Sequence, residues 1–530
     1  MREGGRWTLL VVCLATGVLL LNVSAPSVAL PALGHALHAE LGVMQWVVSG
    51  YSLALAATLL TAGTLADLMG RRRMFLGGLA GFAAASLLCA GATSPLVLIG
   101  GRAVQGLAGA VLLSSSLALL AQDFTGPARA GALGVWGATV AAAFAVGPLE
   151  GGLLTESFGW RAIFALDAAV ALACLPVAVR HLRESSDPDA DRVDWRGTVT
   201  LSTGLFLGVF ALTRGDVLGW GSRVILGSAA GAALLLAVFV AVERRQREPM
   251  LDLRLFAIPT FTGASVVVMV LAASTFGPFL YLTLFLLDAA GASPTSVGLQ
   301  LLPLSVAALV VSVLGGRFAR VLPVRAALPA GQLLCAAGLL AMRGLEASSP
   351  WTVLLPGLLV LGVGIGLSNP TVTYAALGVV PATRSGMASG VSNTFRQVGI
   401  ATGVAALGAL LQADVANRVR EQVGPKASLP PAEVLAQGSP KVLANAGQTY
   451  LASFTGGLNE ILLIAGIVAL AGAVAAAALV RSKDFIAYAK AQQASPPDGA
   501  AAPASSADQQ TAMAPDRVRR EDLEAPGAEG

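Results

Sequence analysis

Charge is unusually scarce in this 530-residue chain. Asp, Glu, Lys and Arg together make up 12% of it, against roughly 25% in a soluble domain. The shortage runs along most of the length, which excludes a water-soluble globular fold and leaves a polytopic membrane protein. Cysteine and histidine are also scarce, at four and three residues. Cys13, Cys89, Cys174 and Cys335 fall in four different apolar runs without paired spacing, which argues against a disulfide framework and leaves packing as their role. His35 and His38 close the first apolar run and read as solvated polar groups, so no metal is expected. Neither a Gly-x-x-x-x-Gly-Lys phosphate loop nor a His-Glu-x-x-His zinc motif occurs, so the chain reads as neither an enzyme nor an ATP-driven pump. The basic surplus, 34 residues against 30 acidic, is too small to imply nucleic-acid binding.

What is present is apolar length, with 55% of residues hydrophobic. A helical span needs about 20 mostly apolar residues. On that scale about fourteen segments stand out, near 8–30, 45–65, 74–94, 96–121, 130–154, 160–180, 197–213, 224–241, 260–287, 296–316, 326–343, 351–376, 388–411 and 458–480. The alternating ten-residue strands of a membrane barrel are missing, so the fold is all-α. The first run follows Arg2 and Arg6 but is too long for a signal core, and it reads as an uncleaved helix. Residues 412–457 form a long outer loop with Pro430 and Pro431, and 481–530 an Ala-, Pro- and Ser-rich tail that reads as disordered.

Gly63, Asp67, Gly70 and Arg71–Arg73 lie between two of the apolar runs. Such residues do not belong in hydrocarbon, so a very short turn at the membrane face is expected there. Basic residues in short loops stay on the cytoplasmic side. Fourteen spans place Arg71–Arg73, Arg129, Arg180, Arg183, Arg244, Arg245 and Arg481 on that side, and leave only Arg161, Arg214, Arg223 and Arg343 in short outer loops. Both termini are therefore expected in the cytoplasm, with the chain in the inner or plasma membrane. Gly315–Arg325 looks like a worn copy of the 63–73 turn, which points to two similar halves. The division expected is 1–180 for a first six-helix half, 181–259 for linkers and two inserted helices, 260–480 for a second six-helix half, and 481–530 for the tail. Duplication of this kind is common in secondary transporters, whose site lies between the halves near the midplane.

Residues 63–73 match the loop signature of the major facilitator superfamily. Leu98-Ile-Gly-Gly-Arg102-Ala-Val-Gln105-Gly106 resembles its fourth-helix motif, and Gly147-Pro148-Leu149-Glu150-Gly151-Gly152 its antiporter-type fifth-helix motif. Three further stretches, 159–164, 193–197 and Ser389–Gly399, are similar to the fourteen-helix drug:proton antiporter branch (the EmrB/QacA type). The ordered set covers about 20–480. The resemblance implies a major facilitator fold of fourteen helices and export by alternating access. It gives Asp67 and Arg71, with Gly63 and Gly70, the role of a conformational latch, and it suggests a drive from the proton gradient with no bound cofactor.

Arg102 is the most costly residue of its span, because an arginine inside a membrane helix faces the bundle interior with a partner; Gln105 stands one turn along. Gly147 and Gly151 share a helical face, and Pro148 bends the helix locally. That smooth face would suit the seam between rocking halves; close packing of a membrane helix is the plainer reading. The first helix departs from the branch. Where the branch usually has an aspartate linked to coupling, this chain has Asn22, which cannot titrate. Glu150 and Asp167 are acids at positions usually apolar and usually asparagine, so one or the other is expected to balance Arg102 and carry the proton. A permanent structural ion pair is the competing role for Asp167, and simple exposure at the outer end for Glu150. Asn393, Arg396 and Gln397 are candidates to line the cavity of the second half, with snorkelling to the cytoplasmic headgroups as the other reading of Arg396. The expected function is proton-coupled efflux of amphipathic or cationic small molecules by a monomer; a periplasmic adaptor is not indicated. A dedicated exporter of one metabolite or antibiotic, or a non-transporting sensor or scaffold, are the alternatives.

Overall fold

The structure is a computed structural model. It describes residues 3–39, 41–124, 126–185, 195–246, 251–286, 292–318, 322–381, 385–423 and 448–485. The expected 412–457 loop is instead helical at both ends, over 412–423 and 448–457, because the flanking helices run on past their apolar runs, and 482–485 of the expected tail are helical too. The rest of that loop and tail, residues 193–194 and the centre of the 315–325 turn lie outside the described residues.

In hydrocarbon every backbone N–H and C=O must find its partner within the chain, which leaves the helix as the form for such apolar runs. Fourteen long helices result among the described residues. They are α1 (Glu3–Leu37), α2 (Leu41–Met69), α3 (Arg71–Ala90), α4 (Pro95–Asp123), α5 (Gly126–Phe158), α6 (Arg161–His181) and α7 (Trp195–Leu218). There follow α8 (Arg223–Glu243), α9 (Pro259–Leu284), α10 (Pro294–Phe318), α11 (Val324–Ala341), α12 (Leu355–Leu377), α13 (Ser385–Val423) and α14 (Gln448–Leu479). Among the described residues thirteen of them are long and apolar enough to cross a membrane, and α5 carries a further apolar stretch, Gly131–Val140. Helix starts carry their own signals: Ser94, with Pro95 behind it, accepts from the Val97 amide at 3.5 Å, and Ser222 accepts from Ile225 at 3.3 Å.

The expected turn at 63–73 contracts to a single residue. Gly63–Met69 continues α2, Arg71–Arg73 opens α3, and Gly70 joins them at φ 103°. That backbone region suits glycine. A helix that runs past the hydrocarbon keeps its polar residues helical, and four-residue spacing then brings Asp67 and Arg71 together.

Helices α1–α6 pack among themselves, as do α9–α14, and α7 and α8 pair with each other. The α7–α8 hairpin docks through α7 onto α2 of the first group and α13 of the second. The hydroxyls of Thr61 and Ser202 meet at 3.0 Å, and the Arg214 guanidinium lies 4.7 Å over the Trp46 ring. The two six-helix groups meet along α2 with α13 and α5 with α10, supplemented by α4 with α13 and α5 with α12. Glycines permit this approach: a Cβ at Gly134 would lie 2.8 Å from the Ser312 carbonyl, and one at Gly390 3.1 Å from the Leu59 carbonyl. The ends of the described chain share one face with Gly70. Trp7 stacks on His181, the Arg71 amide donates to the Ser185 carbonyl, and Thr260 holds Asp484. This is the terminal face of the molecule.

Candidate functional site

Four helices bring Asn22, Tyr51, Arg102, Gln105 and Asp167 into one buried cluster, none more than 1% exposed. Pro26 on α1 has no N–H, so the carbonyl of Asn22, four residues earlier, loses its helical donor. Arg102 of α4 takes that carbonyl through Nη2 at 3.0 Å. Its Nη1 donates to the Asn22 side-chain oxygen and, at 2.9 Å, to Gln105 Oε1. Its Nε donates to the Val47 carbonyl of α2 at 2.8 Å. The Asn22 amide nitrogen then donates to Asp167 Oδ2 on α6. Tyr51 lays its ring 4.2 Å from the guanidinium carbon and gives its hydroxyl to the Leu19 carbonyl at 2.8 Å. Gln105 donates to Ser86 of α3 at 2.8 Å.

A basic and an acidic side chain therefore share a buried site without a direct contact, one neutral amide bridging them. Of the two acids expected to balance Arg102, Asp167 is the one in the network. Glu150 lies half-buried on α5, close enough for an electrostatic interaction with Asp167. Its Oε2 is buried without a hydrogen-bond partner among the described residues. Tyr51, Ser86 and the Val47 carbonyl escaped the sequence reading. A tyrosine hydroxyl inside an apolar run was the available signal for Tyr51; a backbone carbonyl offers none.

On the terminal face, Asp67 Oδ1 accepts from Arg71 Nε at 2.9 Å and Nη2 at 2.7 Å. Its Oδ2 accepts the Met387 amide at 2.9 Å. Met387 is in the first turn of α13, where free amides and the helix dipole favour a carboxylate. Asp67 thus ties the first six helices to the last six. Glu184, absent from the sequence reading, caps α3 in the same neighbourhood by accepting from the Arg72 and Arg73 amides at 3.0 and 3.2 Å.

The fifth-helix glycines point elsewhere than the seam. A Cβ at Gly147 would run into Ser24, and one at Gly151 into the Ala25 backbone, so Gly147 and Gly151, flanking Pro148 and followed by buried Gly152, seat α5 on α1 within the same half. The seam face of α5 carries Gly134, Gly137 and Leu149 instead, against Ser312, Pro370 and Gly298. A helix presents two faces, and the motif glycines occupy the inner one.

In the second half, Arg396 is 3% exposed and donates through Nη1 to Asn369 Oδ1 of α12 at 2.8 Å. It is buried rather than snorkelled. Asn393, one turn before, donates to the Ser389 carbonyl at 3.1 Å. Gln397 is buried, and its Nε2 has no partner among the described residues.

The sequence model of the Major Facilitator Superfamily matches residues 12–404. The Tetracenomycin C resistance and export protein of Streptomyces glaucescens is 33% identical over 89% of this chain and 91% of its own length. The Puromycin resistance protein pur8 of Streptomyces alboniger is 37% identical over 76% of this chain and 81% of its own. Multidrug resistance protein Stp of Mycobacterium tuberculosis is 34% identical, covering 77% and 76%. Among solved structures, the proton:xylose symporter XylE superposes with a TM-score of 0.58 at 14% identity, over 90% of this chain and 96% of that one. The human organic anion transporter MFSD10 does so with 0.58 at 16%, over 88% and 99%. These two likenesses speak to the fold.

Proposed function

The chain belongs to the major facilitator superfamily and is a multi-pass membrane transporter, and on that premise we propose that it exports amphipathic drugs or antibiotics in exchange for protons. The terminal face is the cytoplasmic one in this reading, by the distribution of arginines, and the membrane is the plasma membrane. Glu150 is the feature that would favour a cationic molecule among the amphipathic ones.

The observation that carries the proposal is the bridge Arg102–Asn22–Asp167. Ionisable residues inside a membrane segment mark ion and substrate pathways by default, and Asn22 itself cannot titrate. Asp167 is therefore the proton carrier. Ionised, it accepts from the Asn22 amide and offsets the charge of Arg102. Protonated, it no longer balances Arg102, and the hold on α1 changes. Packing passes that change on, because α1 seats Gly147 and Gly151 of α5, whose other face meets α10 and α12 of the second half. Glu150, nearer the outer end of α5, passes protons toward Asp167. The Asp67 contact with Met387 holds the cytoplasmic side closed in the conformation described, and access alternates as that contact breaks and reforms.

The test is movement of puromycin and tetracenomycin C, the compounds two relatives are named for, in proteoliposomes with an imposed pH gradient. Gradient-driven movement by the wild type that is lost in Asp167→Asn supports the proposal. Movement indifferent to the gradient, or unchanged coupling in both Asp167→Asn and Glu150→Gln, overturns it. A dedicated exporter of one antibiotic is the second reading, favoured by relatives named for single compounds; movement of one compound alone would select it.

A further inference from the structure

We propose that Arg396, with Asn369 and Gln397, docks an anionic oxygen of the transported molecule, so that the substrates are amphipathic weak acids, such as phenolates, enolates or carboxylates. The proposal rests on the transport reading above and names its substrate class.

The first half places an acid one amide away from its buried arginine, whereas no described acid of the second half pairs with Arg396. Between Pro259 and Gln412 the only carboxylates in the sequence are Asp288 and Glu346; Glu346 is exposed and follows α11, and Asp288 lies outside the described residues. Arg396 forms no ion pair among the described residues. Its one hydrogen bond there is from Nη1 to the neutral Asn369 amide. Its Nε is buried without a partner, and so are Gln397 Nε2 and, nearby in sequence, Thr394 Oγ1. A charge in a membrane interior calls for a counterion, and an unpaired buried one is strongly destabilising. When the chain supplies none, a ligand does so on arrival. A guanidinium with free N–H groups selects a carboxylate, phenolate or similar oxygen, because charge-assisted hydrogen bonds are the strong ones.

The position suits a substrate contact. Arg396 is eleven residues into α13, roughly 16 Å along the axis from Ser385, and within the membrane-crossing stretch Met387–Val415. Ser389, Asn393 and Arg396 recur at the spacing that keeps one face of α13 polar. Asn369 lies at the seam, its Cβ 3.7 Å from where a Cβ on Gly137 of α5 would be. A ligand held on Arg396 would therefore touch both halves, as a molecule that drives their rocking must. Glu150 is the competing feature. It is only half-buried and toward the end of its helix, whereas Arg396 is buried and has no counterion among the described residues, so the demand for charge balance is greater at Arg396.

Binding to the purified full-length protein tests this, with fluorescein as the anionic probe and rhodamine 6G as the cationic probe of similar ring system. Wild type should bind fluorescein at least tenfold more tightly than rhodamine 6G. Arg396→Gln should weaken fluorescein at least tenfold and leave rhodamine 6G within about threefold, a split that a merely structural arginine would not produce. Gln397→Leu keeps the guanidinium and should weaken fluorescein severalfold; it is read if Arg396→Gln fails to fold. Preference of the wild type for rhodamine 6G, absence of fluorescein binding, or equal loss of both probes in the variants overturns the inference. The parent reading fails separately. Fluorescein bound through Arg396 but never moved across a vesicle membrane would keep the site and remove transport, while gradient-driven movement of rhodamine 6G alone would keep transport and remove this substrate class.

Discussion

Asn22 stands between Arg102 and Asp167, accepting from the guanidinium with its amide oxygen and donating to the carboxylate with its amide nitrogen. A neutral side chain thereby couples two buried charges, and Pro26 frees the Asn22 carbonyl to bind the same arginine a second time. The position that carries an acid in the family branch has become the link between one acid and one base.

Asn22→Leu is expected to lose that link while keeping the side-chain volume. Both charges remain buried without their common partner, which costs about 3–5 kcal/mol by analogy with broken buried pairs. Thermal unfolding of the purified protein measures it; a loss below about 1 kcal/mol would mean that the bridge is dispensable.

Asp67→Ala should open the terminal face. It removes the cap on α13, worth about 0.5–2 kcal/mol, together with the Arg71 pair. A shift of about 1.4 kcal/mol is a tenfold change in population. Alkylation of a single cysteine, introduced as Ser392→Cys in a cysteine-free background, should be slow with Asp67 present and roughly tenfold faster without it. Equal rates would show that Asp67 does not hold the halves together.

Gly151→Ala is expected to destabilise the protein by about 1–3 kcal/mol, the usual cost of overpacking, because the new methyl meets the Ala25 backbone. Gly77→Ala is the control. A Cβ at Gly77 meets nothing within 4 Å, and alanine in a helix gains about 0.5–1 kcal/mol over glycine. Opposite signs in thermal unfolding are the expected result, and like signs would refute the packing account.

Gly70→Ala should cost more than Glu184→Ala. The former forces an L-residue to φ 103° and drives its Cβ to 2.6 Å from a Glu184 oxygen; a sparsely populated backbone conformation alone costs roughly 1–3 kcal/mol. The latter removes a partly exposed cap, worth about 0.5–2 kcal/mol and nearer the low end under solvent screening. Thermal denaturation ranks the two, and the reverse order would place the strain elsewhere.

Much of this architecture is a property of the chain read locally. Fourteen apolar runs, their polar punctuation and the arginine asymmetry depend on residues within about 20 positions of one another, so the helices are legible in one dimension, while Asp67 and Arg71 are marked by the family resemblance. The fourth-helix motif likewise marks Arg102 as buried before any fold is known. The partners are not legible in the same way. Asn22 and Asp167 are 145 residues apart, and Asp67 and Met387 are 320 apart. Whether such residues meet depends on how each helix is rotated about its axis and how far it slides along its neighbours.

That rotation decided three matters. It turned Gly147 and Gly151 toward α1 rather than toward the seam, put Asp167 and not Glu150 at the end of the Asn22 bridge, and left Arg396 facing a neutral asparagine. The amino-acid sequence by itself determined that the chain lies in a membrane, how many helices it forms and which charges are costly there, because transfer into hydrocarbon is priced residue by residue. The tertiary structure alone decided which of those charges are answered, because an ion pair needs two side chains within a few ångströms and hydropathy carries no information about distance.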